Sequence, residues 1–484
     1  MLFNTFHFFV FFVAVCSIYF FLPHKHRWWW LLLSSCYFYM VYVPIYILIL
    51  GSTIFIDYYA GVFIEKNQGT KRKRLLILSL LVNIGVLFTF KYFNFVNQNL
   101  ILVLQSFGIK NPIPFLNIAL PVGLSFHTFQ AMSYTIEIYR GNQKAEQHFG
   151  IYALYVMFFP QLVAGPIERP QNLLHQFREK FHFDDVRVIS GLKLMAWGLF
   201  KKVVIADRLA IGVDAVYKHP ELFNSFTLIL ATIFFSFQLF CDFSGYSDMA
   251  IGAARVLGFR LMKNFDNPFQ SDNIQQFWKR WHISLSGWFR DYLYLPLGGS
   301  HVAVPRWYLN LIIVFLVSGL WHGAGWTFLI WGGLHGIYML TYFSIKPIRN
   351  YCSNKLGKKT WKVLSVILTF NLVNFAFIFF RAKNLHEAWF IISRIITELW
   401  KDVVHLSFNK WPIDNIGLTK FNLLLCLFLI LLLETVHYVQ SRVNINHYLY
   451  QKPAALRWAL YCLLSIGILY FGVFENKEFV YFQF

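Results

Sequence analysis

The sequence predicts an all-α polytopic membrane protein of roughly eleven transmembrane helices, with re-entrant and interfacial amphipathic helices around a central funnel or tunnel. Two observations carry that expectation. Hydrophobic residues make up 57% of the chain and charged residues only 14%, whereas charged residues supply about a quarter of an ordinary soluble domain. Apolar runs also recur along all 484 residues, each close to the ~20 residues that cross a bilayer as helix.

In chain order the expected spans are residues 3–22, 28–43, 45–64, 75–95, 119–138, 149–164, 223–243, 308–343 (long enough for two), 362–380, 421–439 and 455–474. No basic residues precede the first run and no small-residue cleavage site follows it, so it reads as a retained span and not as a signal peptide. The segment 28–64 has room for two crossings. The basic clusters His24-Lys25-His26-Arg27 and Lys71-Arg72-Lys73-Arg74 therefore share one side, which the bias of cytoplasmic loops toward Lys and Arg makes the inside. That places the N-terminus outside. The formal charge of +20 belongs with this loop pattern and with a membrane, and nucleic acid is not expected as a partner.

The chain reads as a single membrane-embedded domain, 1–484, with N-terminal helices at 1–115, a catalytic core at 116–345 and C-terminal helices at 346–484. In the core, polar and Gly/Pro-containing stretches such as 159–170 and Cys241-Asp242-Phe243-Ser244-Gly245-Tyr246-Ser247-Asp248 interrupt the apolar runs. Irregular backbone survives at membrane depth only inside protein or beside water, so this third is expected to line a cavity. Helix capping is the expected role of Asp242 and Asp248, on either side of a Gly-containing turn.

Residues 274–295 are too polar to span. Phe277, Trp281, Leu285, Trp288 and Tyr292 recur at three and four residues, the stripe of an amphipathic helix lying in the membrane interface. On that geometry His282 sits at the stripe's edge, able to face a cavity. The cysteines Cys16, Cys36, Cys241, Cys352, Cys426 and Cys462 have neither metal-ligand nor disulfide-framework spacing. They read as packing residues, and no metal site is expected.

Two histidines are the candidate catalytic groups. His322 lies in Ser318-Gly319-Leu320-Trp321-His322-Gly323-Ala324-Gly325, inside an apolar run, and His282 in Arg280-Trp281-His282-Ile283-Ser284. A titratable group among lipid-soluble residues costs a few kcal/mol, on the order of 3 at a helix centre, and so tends to be functional. Imidazole suits proton transfer near neutrality. The flanking glycines would allow close approach by a substrate or by another backbone, and Trp321 and Trp326 could wall the site. The plain alternatives are a carbonyl-bonded imidazole for His322 and a solvated interfacial one for His282. Lys279, Arg280 and Arg290 are candidates to hold the phosphates of an anionic donor, or else lipid headgroups. His335 reads as packing.

At these residues the chain resembles the membrane-bound O-acyltransferase family, in the bacterial branch that serves alginate O-acetylation, peptidoglycan O-acetylation and D-alanyl transfer to teichoic acids. The resemblance rests on Gly123-Leu124-Ser125-Phe126-His127-Thr128-Phe129-Gln130, the 160–166 segment, 242–250, 277–299 and 318–325. It implies acyl transfer from a cytoplasmic thioester, acetyl-CoA being the expected donor and no permanently bound cofactor being needed. The acceptor would be a hydroxyl across the membrane, for O-acetylation of an exported or envelope polysaccharide. His322 matches the family's catalytic histidine, and His282 one on the cytoplasmic approach. Tyr481, in the tail Phe479-Val480-Tyr481-Phe482-Gln483-Phe484, matches a tyrosine proposed to relay the acyl group to an extracytoplasmic O-acetyltransferase partner, with an interfacial aromatic anchor as its alternative. The implied location is a bacterial inner membrane. D-alanyl transfer, or polymer or lipid-linked sugar transport without acyl transfer, are the other readings.

Overall fold

The computed structural model describes residues 1–404, 413, 416–443, 448, 451–474 and 479–480. Among these residues the regular structure is helical throughout. Seven described helices are long and apolar enough to cross a membrane: Tyr46–Lys66, Gly69–Ser106, Ser225–Leu257, Val304–His322, Lys358–Arg381, Lys420–Gln440 and Ala454–Phe471. An eighth results if Trp326–Ser344 and Lys346–Leu356, bent by 67° at their junction, form one span.

That is fewer than the roughly eleven expected, and the shortfall has local causes. Phe6–Phe21 has 16 residues, and His24–Met40 and Leu124–Arg140 have 17 each, at or just below the short end of the ~17–25 residues that cross a bilayer as helix. The run at 149–164 splits into Phe149–Met157 and a four-residue turn, Phe159–Leu162. Phe158 leaves helical geometry there, and Pro160 opens the new turn, where its missing N–H is harmless. Three longer helical stretches went unforeseen: Asp185–Lys218, interrupted by the π-helical turn Phe200–Ala206, Lys346–Leu356, and the amphipathic helix Leu385–Val404.

The chain forms two compact units, one of Met1–Met195 with Tyr246–Lys263 and one of Ala196–Gly245 with Asn264–Phe484. In the first, Tyr46–Lys66, Gly69–Leu87 and Leu124–Arg140 pack together. Their polar seam is Asp57, whose carboxylate accepts from Ser79 Oγ at 2.7 Å and Asn83 Nδ2 at 2.9 Å. Arg72, from the second basic cluster, donates to the Ile138 and Tyr139 carbonyls at 2.9 and 2.7 Å, at the end of Leu124–Arg140.

The second unit is organised by the hairpin of Val304–His322 and Trp326–Ser344, onto which Lys358–Arg381 packs. Glycines set how closely the hairpin closes. A Cβ at Gly319 would lie 2.2 Å from the Phe328 carbonyl oxygen, and one at Gly332 would lie 2.3 Å from that of Phe315. Small residues at a helix crossing let backbones meet this way.

Two expectations are corrected here. Residues 274–295 do not form one interfacial helix; Ile274–Arg280 and Ile283–Phe289 are separate, broken at Trp281 and His282. Their stripe residues Phe277, Trp281, Leu285 and Trp288 are buried among rings such as Phe265, Phe269 and Phe377. The apolar period thus points into protein, not to the interface. Nor does a turn separate Asp242 from Asp248, because both lie inside the 33-residue helix Ser225–Leu257. Gly245 is where residues 198–202 approach that helix, since its Cβ would come 2.7 Å from the Gly198 carbonyl oxygen.

Candidate active site

His282 is placed by a pairing that no local pattern announces. The Ile283 N–H donates to the Asn264 carbonyl at 2.8 Å, and the Asp266 N–H to that of Arg280 at 2.9 Å. The segment 264–266 thereby lies along 280–283 and interrupts the helix. His282 itself takes a left-handed backbone, φ 45° and ψ 54°, which costs a non-glycine residue about 1–2 kcal/mol. Surroundings that over-determine such a residue are typical of functional sites.

Asn264 fixes the ring as well as the backbone. Its Oδ1 accepts from the Ser284 backbone N–H at 3.2 Å and from Ser284 Oγ at 2.9 Å, and it faces His282 Nδ1 at 3.2 Å. A backbone N–H can only donate, so the Asn264 atom in this fork is oxygen. His282 Nδ1 must then carry the ring proton, leaving the lone pair on Nε2. The ring is wholly buried, at 0% exposure, with Phe243 edge-on at 4.6 Å and Trp321 at 5.9 Å. That burial pushes its pKa down from 6.5 to about 3, so the imidazole is neutral at ordinary pH.

His322 is the last residue of Val304–His322 and is 2% exposed. Its ring is bounded by Trp321 at 4.9 Å, Trp331 at 4.9 Å and Phe380 at 5.4 Å. Trp321 thus touches both histidines, and the structure brings the two predicted catalytic residues together across one indole. Trp326, expected as a wall, is 54% exposed; Trp331 and Phe380 take that place. A Cβ at Gly323 would strike the Phe328 ring at 2.1 Å, so Gly319 and Gly323 make room for protein packing. His335 is buried in the same aromatic cluster, 4.8 Å from Trp331 and 4.9 Å from Trp278.

A charged cluster forms at Asp242, the residue before Phe243. Lys202, in the π-helical turn Phe200–Ala206, is 2.9 Å from Asp207 and 2.7 Å from Asp242. Burial opposes its charge, but the two carboxylates outweigh that and hold the ammonium pKa above its usual value. The Val480 N–H donates to Asp242 Oδ2 at 2.7 Å. Nothing in the sequence joins Lys202, Asp242, Asn264 and Val480, because the contacts are long-range; a buried-polar count along the helix at 225–257 was the one available signal.

Of the three cations considered for an anionic donor, Lys279 and Arg280 close the last turn of Ile274–Arg280, where positive charge suits the helix dipole. Arg290 is exposed and pairs with Asp291 at 2.8 Å. Tyr481 lies outside the described residues. Chemically, the centre is a pair of buried imidazoles in aromatic walls, where a neutral ring nitrogen can act as a general base.

Sequence comparison points the same way. A sequence model of the membrane-bound O-acyltransferase family matches residues 42–385, a range that contains both histidines. The chain is 35% identical to a peptidoglycan O-acetyltransferase of Helicobacter pylori, over 93% of this chain and 90% of that protein. It is 38% identical to a probable alginate O-acetylase, AlgI, of Pseudomonas aeruginosa, over 84% of this chain and 75% of the relative. A teichoic acid D-alanyltransferase of Bacillus subtilis is 29% identical over 55% of this chain and 70% of its own length.

Proposed function

This chain belongs to the membrane-bound O-acyltransferase family, and we propose that it takes an acetyl group from acetyl-CoA at the cytoplasmic face of a bacterial inner membrane for O-acetylation of an exported or envelope polysaccharide. It is a multi-pass membrane O-acyltransferase. Acetyl is favoured over D-alanyl because the relatives named for O-acetylation match at 35 and 38% identity over most of the chain, against 29% over 55% for the D-alanyltransferase.

The observation that carries the chemistry is His322, buried at a helix end and sharing Trp321 with His282. In the proposed reaction a neutral His322 takes the proton of an attacking hydroxyl as its oxygen bonds to the thioester carbonyl carbon. The C–S bond then breaks, and the imidazolium returns the proton to the departing CoA sulfur. His282, kept neutral by burial and held in one tautomer by Asn264, lines the donor side of the same centre. Lys279, Arg280 and Arg290 are the candidate phosphate contacts. Tyr481 is the candidate hydroxyl that hands the acyl group to an extracytoplasmic O-acetyltransferase and so to the polysaccharide.

The test is detergent-purified protein with labelled acetyl-CoA, alongside ester analysis of surface glycans in cells. His322→Ala is expected to abolish CoA release and glycan acetylation while the protein remains folded and inserted in the membrane. Wild-type acetylation in that variant would refute the assignment.

A further inference from the structure

We propose that the buried Lys202–Asp242 pair is a latch for this chain's own C-terminal tail, holding the tail beside the histidine centre for the step in which the acyl group leaves the protein. The proposal rests on the acyl-transfer reading above and adds to it a docking site and its occupant.

The starting point is the satisfaction of a buried carboxylate. Asp242 lies on an apolar helix and is buried, a strongly destabilising position unless both oxygens are engaged. Lys202 takes Oδ1 at 2.7 Å. Oδ2 takes the backbone N–H of Val480, also at 2.7 Å and 238 residues away in sequence. A backbone donor fixes where the chain lies and not which side chain it bears. Phe479 supplies direction, its ring 5.7 Å from Phe243, which also packs against His282 at 4.6 Å and Phe265 at 5.0 Å. Tail, Phe243 and His282 are thus in sequence.

The latch is built, not incidental. Lys202 sits in a π-helical turn, a geometry that recurs at functional sites. Gly245 lets that turn reach the helix, a Cβ there falling 3.2 Å from the Lys202 nitrogen. The tail is pinned to the same turn a second time, the Val473 N–H donating to the Val203 carbonyl at 2.9 Å. Residues 473 and 480 are therefore both tied, directly or through Asp242, to positions 202 and 203. The residue after Val480 in sequence is Tyr481.

Val480→Pro in the full-length protein deletes the one N–H and leaves the Lys202–Asp242 pair in place. Asp242→Asn, which keeps an acceptor oxygen but not the charge, is the second variant. Three quantities are read: the rate at which carboxypeptidase trims the purified protein, CoA release from acetyl-CoA, and glycan acetylation in cells. Both variants are expected to be trimmed at least tenfold faster, with glycan acetylation falling at least tenfold further than CoA release. A purely structural tail would lower the two activities together. Trimming at the wild-type rate overturns the latch, and faster trimming with wild-type glycan acetylation overturns its role in transfer. If wild-type protein releases no CoA, the acyl-transfer reading fails, and trimming still decides whether the tail is latched.

Discussion

At the scale of single residues, Asn264 fixes the tautomer of the buried His282 ring. Replacing it by leucine removes one oxygen that serves two Ser284 donors and the ring. Leaving such buried donors unmet costs about 1–3 kcal/mol. Asn264→Leu is therefore expected to lower the thermal midpoint by several degrees and to reduce acetyl transfer, with the midpoint read in detergent and the rate from CoA release. The His282 ring also has a pH signature. Its pKa is about 3 in the folded protein against an ordinary 6.5, so between those values the unfolded chain binds a proton that the folded one does not. Stability must then rise with pH across that window and be lost as pH falls from 6.5 toward 3. Thermal midpoints measured down the pH scale should show that fall, and it should be smaller in a variant lacking the imidazole. In the sequence His322 stands out as a titratable group inside an apolar run, and His282 as one at the edge of an amphipathic stripe. Asn264 does not, since it lies 18 residues upstream of His282 and nothing in its own neighbourhood marks it.

At the scale of elements, the hairpin that ends in His322 depends on two reciprocal contacts between glycine and backbone. Gly319→Ala must push the Phe328 carbonyl away, and Gly332→Ala that of Phe315. Backbone cannot swing aside as a side chain can, so each should cost about 1–3 kcal/mol as overpacking does. The expected outcome is reduced membrane yield and lower thermal midpoint for both. Gly333→Ala, whose Cβ would find only Leu316 Cδ2 at 3.7 Å, should behave as wild type. The sequence showed this region as one apolar run, 308–343, long enough for two spans. It misled at 274–295, where the 3.6-residue period is real but is shared between two short helices. The break comes from residues 264–266 pairing across it, and periodicity cannot register a partner from elsewhere in the chain. The same limit hid the helical character of 241–248, whose serines, aspartates and glycine resemble a turn until Lys202 and Gly198 are set against them.

At the scale of the molecule, sidedness follows from short helices and basic clusters. His24–Met40 and Tyr46–Lys66 are joined by five residues, so residues 24–27 and 71–74 return to the same end. Arg72 is spent on the carbonyls closing Leu124–Arg140, which ties that helix end to the same cluster. Single cysteines introduced at Lys25 and Lys73 are expected to react with an impermeant maleimide only when the cytoplasmic face is opened; labelling of either from the outside would reverse the proposed orientation. Fold class was legible from composition alone, because a chain this poor in charge has no aqueous alternative. The number of spans was not, because hydropathy marks apolar length without marking where Phe158 or His282 leaves the helix.

The left-handed backbone at His282 bears on how the residue should be deleted. Alanine would remove the ring yet inherit a φ of 45°, a conformation it adopts reluctantly, so an alanine scan would report distortion and lost chemistry as a single number. Asparagine tolerates that conformation far better. A His282→Asn protein is thus the cleaner comparison, and the gap between its behaviour and that of His282→Ala would measure how much of the site's geometry the main chain alone maintains.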